Sequence, residues 1–217
     1  LNLSVKRRSW LFLMNLEHLH FKIKPRSRGK VINVFVCHLK SKRPTYVGKE
    51  PWYEKNIHKP HQEAIGAAIS TIRRTAEATA LRMLITNITD DTDTPVIVLG
   101  DLNDEEHSNT LNIITGQPNY LVSNWSKGGS DTDLYSTGTM QKYRSQRDVY
   151  YTHVHNKTKS SLDHILVSQE FYDNSKKRIW GFKGMELYND HLNQENHKED
   201  GSTDHGIVVS EFEYRPA

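Results

Sequence analysis

Side chains capable of acid–base and phosphate chemistry lie at the ends of four apolar segments of the chain. They are His38; Asp101 with Asn103; Asp163; and Asp204 with His205. A carboxylate beside a carboxamide can orient a water molecule, and a carboxylate beside a histidine fixes which ring nitrogen faces a substrate. Each group alone is more typical of a polar turn or another structural role than of a site. Because all of them sit at strand ends, we predict that they meet on one rim of a sheet.

The apolar segments predict the strands that position these groups. They cover residues 31–39, 96–99, 162–168 and 207–214. Residues 31–37 are apolar at nearly every position, which predicts a central strand covered on both faces. Residues 18–23 predict a neighbouring strand, joined to it through a basic turn at 25–30, and Trp10–Met14 is a further apolar run. Gly100 is predicted to end the strand before Asp101. If the chain stays extended there, Asp101 and Asn103 face the same side.

Residues 62–89 predict the longest helix, and residues 109–114 a short one. Apolar residues recur along the long helix at helical spacing, at Ile65, Ile69, Ile72, Ala76, Ala80, Met83 and Ile88. We interpret this stripe as the face that packs on the sheet. Arg73, Arg74, Glu77 and Arg82 lie largely off it. Between residues 105 and 158 the pattern weakens.

The loop at residues 40–60 is rich in basic and aromatic residues, including Lys40, Arg43, Trp52 and Tyr53. Such a loop beside the site could follow a phosphate backbone and stack against bases. It could equally be a solvated loop with its aromatic rings packed down. Both interpretations stay open from the sequence.

Composition limits the class of protein. The 217 residues are enough for one large domain or two small ones, and their net charge of +3 and 35% hydrophobic content are typical of a globular protein and not of a disordered one. The single cysteine, Cys37, excludes an internal disulfide framework and a cysteine zinc finger. No apolar run is long enough for a transmembrane segment. The chain starts at Leu1 without a signal-peptide pattern, which predicts that it begins inside a longer precursor; its location is not predicted.

Three short motifs occur in the order expected of one enzyme superfamily. They are Gly100-Asp101-Leu102-Asn103, Leu162-Asp163-His164-Ile165-Leu166 and Thr203-Asp204-His205. Their order and spacing resemble the endonuclease/exonuclease/phosphatase superfamily, whose fold is that of deoxyribonuclease I and the exonuclease III-type abasic endonucleases. The segment His38-Leu39-Lys40-Ser41 and the helix with Arg74, Glu77 and Ala78 also fit. The resemblance implies a four-layer α/β/β/α sandwich and metal-dependent phosphoester hydrolysis.

The resemblance also implies roles for individual residues. Asp101 would orient or deprotonate the attacking water, and Asn103 would hold the water or a phosphate oxygen. Asp204 would help to bind Mg²⁺ (or Mn²⁺ or Ca²⁺), which usually takes one or two carboxylates and keeps positions for water and phosphate. The metal would neutralise charge that develops on the leaving oxygen.

The remaining implied roles concern the phosphate. His205 would contact the scissile phosphate, and Asp163 would accept the other ring proton and fix the tautomer. His38 would reach a phosphate oxygen. Lys40, Arg43, Trp52 and Tyr53 are the candidates for substrate binding.

One part of the family pattern is missing. The family has an early strand bearing Asn and a second strand bearing a metal-binding Glu, and neither appears here. Glu17 lies on a different strand and is a poor substitute. A sheet without those strands would expose an unpaired edge and apolar surface. We therefore predict that residues 1–217 form a single domain of this family, the C-terminal two-thirds or so of the full domain. A complementing N-terminal chain is then a possible partner.

Three functions agree with these residues. The first is a nuclease or phosphodiesterase, which the basic and aromatic loop favours. The second is a phosphatase or phospholipase that acts on phosphoinositide or sphingolipid headgroups. The third is a non-catalytic binding module of the same fold. Steep salt dependence of binding would be typical of a nucleic-acid substrate and not of a small headgroup.

Overall fold

The computed structural model describes residues 17–25, 29–120, 131–145, 150–155, 158–193 and 203–217. The strands are β1 (Glu17–Ile23), β2 (Ile32–His38), β3 (Val96–Asp101), β4 (Tyr135–Ser136), β5 (His153–His155), β6 (Thr158–Ser160), β7 (Asp163–Val167), β8 (Trp180–Tyr188) and β9 (Ile207–Tyr214). The α-helices are α1 (Lys55–His58), α2 (Gln62–Thr89), α3 (Asn109–Thr115) and α4 (Thr137–Arg144). Short 3₁₀ helices cover Lys59–His61, Gln169–Phe171 and Asp190–Asn193. The predicted apolar run Trp10–Met14 lies outside the described residues.

A five-stranded sheet with the order β1-β2-β3-β7-β4 forms the centre of the fold. β2 and β3 are parallel, and the other neighbours are antiparallel. Parallel neighbours need a long crossover connection, and the segment containing α2 provides it. Five of the seven residues of β2 are buried, with Cys37 the last of them, as expected for a central strand covered on both faces. The strands predicted from the sequence are confirmed to within about two residues at each end.

Helices α2 and α3 cover one face of this sheet, but α2 does so with a different side from the predicted one. Ile72 and Met83 are 66% and 57% exposed, so the predicted apolar stripe is wrong at these positions. The buried residues of α2 are Gly66, Ser70, Arg74, Glu77, Ala78, Ala80, Leu81, Ile85 and Thr89. The face of α2 that packs on the sheet therefore combines large apolar residues, Leu81 and Ile85, with small and charged ones. The buried charges of Arg74 and Glu77 are tolerated because each has a hydrogen-bond partner in a neighbouring loop.

The β8–β9 hairpin packs over the other face of the sheet. Trp180, Phe182 and Phe171 of this layer form a second apolar cluster with the inner side of β2 and β7. The fold thus has three layers in the order helices, central sheet and β8–β9 hairpin, the hairpin being a second, two-stranded sheet. This mixed α/β arrangement confirms the predicted fold class.

Strand β1 has β2 as its one neighbour among the described strands. Its residues Leu19, Phe21 and Ile23 share one face and are 55%, 37% and 44% exposed. Within the part of the chain that the structure describes, β1 therefore shows the unpaired edge and exposed apolar surface expected from the sequence.

The weakly patterned part of the sequence contains more structure than expected. Its described residues form α4 and the two-stranded β5–β6 hairpin in addition to the predicted short helix. The predicted loop at 40–60 likewise contains α1. No described helix combines the length and the apolar composition needed to cross a membrane.

Candidate active site

Asp101 and Asn103 form a tight turn at the end of β3. The Asn103 amide donates to Asp101 Oδ1 at 2.9 Å, and Asn103 Nδ2 donates to Asp101 Oδ2 at 3.0 Å and to the Leu39 carbonyl at 2.9 Å. Asn103 has a φ of 54°, so the chain turns here and is not extended as expected. A Cβ at Gly100, whose φ is +132°, would lie 2.1 Å from the Cys37 carbonyl oxygen. Glycine is therefore needed where β3 meets β2 above the turn.

Asp163 and His205 form the shortest polar contact between the predicted site residues. Asp163 is the register partner of Asp101 across the β3–β7 pair. His205 Nδ1 donates to Asp163 Oδ2 at 2.7 Å, which raises the pKa of His205 against the opposing effect of its burial. His205 Nε2 lies 3.9 Å from Asp101 Oδ2. Asp163 thus holds one ring nitrogen and leaves the other on the side of Asp101.

His38, at the end of β2, approaches the same oxygen atom of Asp101 as His205 does. Its Nε2 is 3.6 Å from Asp101 Oδ2. Its Nδ1 is 3.9 Å from Oε2 of Glu17, the residue paired with His38 in the β1–β2 ladder. The Glu17 side chain is 80% exposed. Glu17 therefore approaches the imidazole of His38 from solvent, while Asp101 lies close to two histidines.

The environment of Asp101 makes it a stronger proton acceptor than an ordinary aspartate. Burial raises its pKa, and the nearby Asp163 charge acts in the same direction. The Asn103 amide and the two histidines oppose this rise without cancelling it. A half-buried carboxylate with a raised pKa can accept a proton from water, and its charge would be stabilised by a cation.

These side chains line a cavity of about 960 Å³. One wall is formed by the loop after β2, with Lys42 and Arg43, and the opposite wall by the β5–β6 hairpin, with His153 and His155. Asp204 lines the same cavity. The structure therefore brings the polar ends of four strands to one rim, as the sequence predicts, although this does not test their chemical roles.

The structure places the predicted substrate-binding residues in different positions relative to the large cavity. Arg43 lines the large cavity, whereas Lys40 lines a neighbouring cavity of about 250 Å³. Lys40 Nζ donates to Ser41 and to the Arg43 carbonyl at distances of 3.1–3.2 Å, so its ammonium group is engaged within its own loop. Trp52 and Tyr53 are not among the described residues that line either cavity. Their role in substrate binding stays a prediction.

A divalent cation has suitable ligands at the base of the large cavity. Carboxylate oxygens of Asp101 and Asp163 and a ring nitrogen of His205 all lie within 4.8 Å of one another. The predicted metal ligand Asp204 is not part of this group of described residues, but it lines the same cavity. Within the group, Asp163 and His205 are hydrogen-bonded to each other, and Asp101 accepts two hydrogen bonds from Asn103. Two of the three donors are carboxylates, the oxygen ligands that Mg²⁺ prefers, and the third is an imidazole nitrogen.

Two buried charges on α2 position the loop that carries Lys40 and Lys42. Arg74 donates to Asp104 Oδ2 and to the Lys40 carbonyl, each at 3.2 Å. Glu77 accepts from the Lys40 amide at 2.6 Å. Both polar groups of the Lys40 backbone are therefore held by one helix. Lys42 in turn lies 3.0 Å from Asp104 Oδ1.

This arrangement agrees with a family model that matches residues 3–205, which is most of the chain. The model describes the endonuclease/exonuclease/phosphatase family. The chain belongs to this family. No curated protein matches the chain.

Solved structures of the family have a related fold. The human Nocturnin catalytic domain matches with a TM-score of 0.52 and 19% identity, over 93% of this chain and 54% of that one. A family protein from Bacteroides vulgatus has a TM-score of 0.49 and 16% identity, over 91% of this chain and 55% of that one. Humanized D. rerio TDP2 has a TM-score of 0.48 and 16% identity, over 90% and 60%. The chain spans about half the length of the solved family structures that it matches.

Two histidines of β5, His153 and His155, line the cavity and were not predicted from the sequence. The rings of His153 and His205 lie 4.9 Å apart, and their backbones form an isolated antiparallel bridge. The rings of His153 and His155 stack at 6.2 Å. Burial lowers the pKa of His153, and the neighbouring His205 adds to this effect. The one signal in the sequence is the His-x-His spacing, which places two side chains on one face of a strand.

Proposed function

We propose that this family member is a metal-dependent phosphodiesterase, with nucleic acid as the favoured class of substrate. The observation that carries the proposal is the position of Asp101. Its carboxylate lies close to two imidazoles, 3.6 Å from His38 and 3.9 Å from His205, at the base of a large cavity. Such a group can activate water between side chains that bind phosphate oxygens.

Each residue of the rim has a separate task in this proposal. Asp101 orients the attacking water and accepts its proton, a task that its raised pKa favours. Asn103 holds the water through Oδ1 and not a phosphate oxygen, because its two Nδ2 hydrogens are donated to the Asp101 carboxylate and to the Leu39 carbonyl. His205 presents Nε2 to the scissile phosphate because Nδ1 is bonded to Asp163. His38 contacts a second phosphate oxygen.

A divalent cation, Mg²⁺ or else Mn²⁺ or Ca²⁺, completes the proposed site. Asp204 would hold it, with the Asp101 carboxylate close by. When bound, the cation would neutralise the negative charge that develops on the leaving oxygen.

The walls of the cavity favour a substrate larger than a phosphate group. Lys42 and Arg43 provide positive charge on one wall, and two imidazole rings line the other. A basic groove with planar side chains is suited to a phosphate backbone and its bases. Roles for Lys40, Trp52 and Tyr53 are part of this proposal. No contact among the described residues supports a complementing N-terminal chain, which stays a prediction.

The proposal is tested by hydrolysis of a fluorescent single-stranded DNA oligonucleotide in Mg²⁺ and in EDTA. We expect activity in Mg²⁺ only, and a loss of about 10³-fold or more for Asp101→Asn, which removes the proton acceptor at constant size. Asp91→Asn is the matched control. Asp91 has a φ of 54° in the exposed turn after α2, where Asn is well tolerated, so activity should be unchanged.

Near-normal turnover by Asp101→Asn would overturn the role of this residue. Hydrolysis of inositol phosphates without cleavage of the oligonucleotide would replace the substrate class. Binding of the oligonucleotide should weaken steeply as salt rises, because cations of the cavity wall contact phosphates. Binding without any hydrolysis in Mg²⁺ or Mn²⁺ would favour the non-catalytic alternative.

A further inference from the structure

Thr152 precedes β5 and is 2% exposed. It is not among the residues that line the large cavity, so its side chain does not face the proposed substrate. It lies where three segments of the site meet: the start of β7 with Asp163, the segment with His205, and the β5–β6 hairpin.

The Thr152 hydroxyl binds the β7 segment. Its Oγ1 accepts from the Leu162 amide at 2.9 Å and from the Asp163 amide at 3.1 Å. One oxygen atom therefore satisfies two successive backbone N–H groups at the point where the chain enters β7. The second of these belongs to the residue whose carboxylate holds His205.

The Thr152 backbone binds the other two segments. Its carbonyl accepts from the Gly206 amide at 2.7 Å, directly after His205, and its amide donates to the Ser160 carbonyl at 2.9 Å. The next residue, His153, bridges His205 and packs its ring 4.9 Å from the ring of His205. Thr152 is thus bonded to the backbone of Asp163 itself and to that of Gly206, the residue directly after His205.

We propose that Thr152 is a positioning residue that holds Asp163 and His205 in register for catalysis. This inference rests on the proposed function. The Thr152 hydroxyl fixes the position of the Asp163 backbone at the start of β7, while the Thr152 carbonyl fixes the segment that follows His205. If the hydroxyl is removed, the two N–H groups lose their acceptor and the start of β7 shifts. The 2.7 Å contact between Asp163 and His205 then lengthens, and Nε2 of His205 turns away from the phosphate.

The test compares two substitutions that separate the hydroxyl from the shape of the side chain. Thr152→Val keeps the shape and removes the acceptor, and Thr152→Ser keeps the acceptor and removes a methyl group. We expect kcat to fall by roughly 10- to 100-fold in the valine variant with KM nearly unchanged, since small displacements of reacting groups have effects of this size. The serine variant should stay within about threefold of the parent protein.

Thr115→Val is the matched control. Thr115 is a buried threonine in α3 whose hydroxyl accepts one backbone N–H, from Gln117, away from the large cavity. Thr115→Val should remove a comparable hydrogen-bond acceptor without a change in kcat. Equal kcat losses in the serine and valine variants at position 152, or a parent-like kcat in a folded valine variant, would overturn the proposal.

A spectroscopic readout separates this inference from the proposed function. The Nδ1 proton of His205, held by a carboxylate at 2.7 Å, should give a far-downfield proton NMR signal that Asp163→Asn abolishes. The signal should persist in Thr152→Ser and disappear in Thr152→Val. If the signal behaves in this way but no phosphoester is hydrolysed, the proposed function fails and the positioning role stands. If the signal is unchanged in the valine variant, the positioning role fails whatever the activity.

A measurement on the parent protein covers the case in which Thr152→Val does not fold. Hydrogen exchange at the Leu162, Asp163 and Gly206 amides should be slow and should respond together to denaturant. Fast or independent exchange at these three amides would show that Thr152 does not join the segments, and would overturn the proposal.

Discussion

The Asp163–His205 contact should contribute measurably to stability, and its contribution should depend on pH. A double-mutant cycle with Asp163→Asn and His205→Gln isolates it. A hydrogen bond to a charged group contributes about 1.5–3 kcal/mol, and an exposed ion pair about 0–1 kcal/mol. The two side chains are 20% and 25% exposed and their atoms are 2.7 Å apart. We therefore expect an intermediate coupling free energy of about 1–2 kcal/mol when His205 is protonated.

The sign of the pH dependence follows from the raised pKa of His205. A histidine whose pKa is higher in the folded than in the unfolded protein stabilises the fold fully below its ordinary value of 6.5. That stabilisation is lost as the pH rises through the higher folded value. The coupling free energy between Asp163 and His205 should therefore be larger at acidic than at alkaline pH.

The assay is urea unfolding of the four proteins of the cycle at about pH 5.5 and about pH 9, which lie below and above the usual range of histidine pKa values. EDTA is included so that metal binding does not contribute. Additivity within about 0.5 kcal/mol at both pH values would refute the reasoning, as would a coupling that grows with pH. In the hydrolysis assay the same cycle should be strongly non-additive, because either substitution alone disables the pair.

Two further predictions concern the residues that support the site. Gly100→Ala should lower the free energy of unfolding by about 2–4 kcal/mol, because residue 100 has a positive φ and the added Cβ would lie 2.1 Å from the Cys37 carbonyl oxygen. Chemical denaturation measures this loss. Gly138→Ala is the control and should have little effect, because the nearest atom to its added Cβ is 3.4 Å away. Arg74→Met should cost about 1.5–3 kcal/mol, because it removes the hydrogen bonds of Arg74 to Asp104 and to the Lys40 carbonyl, while Lys42 and Thr110 remain partners of Asp104. Arg73→Met, on the exposed neighbour, should be nearly neutral. Equal effects for either matched pair would contradict the structure.

The strand ends that form the site were predictable from the sequence for a physical reason. Strands such as β3 and β9 are bounded by abrupt changes from apolar to polar residues, so the positions of Asp101 and His205 could be assigned without knowing their partners. The bounds of α2 were predictable on the same grounds. The Asp101–Asn103 turn was not, because a positive φ at Asn103 leaves no signal in an apolar–polar pattern.

The face of α2 and the β5–β6 hairpin show where sequence patterns fail. Arg74 is buried because Asp104, thirty residues away in the sequence, is its partner, and periodicity does not contain that information. The strand that begins at His153 has three residues, too few to show alternation. Thr152 has no sequence signal at all, since its importance lies in backbone groups of segments that are distant along the chain.

The burial of Cys37 has a consequence for how motions of the site can be measured. Its thiol lies in the central strand directly before His38, and burial raises its pKa to about 12. The thiolate is the reactive form, so the folded protein should resist thiol reagents at neutral pH. No other cysteine occurs in the chain. The rate at which a thiol reagent modifies the protein therefore reports how often the strand that carries His38 opens.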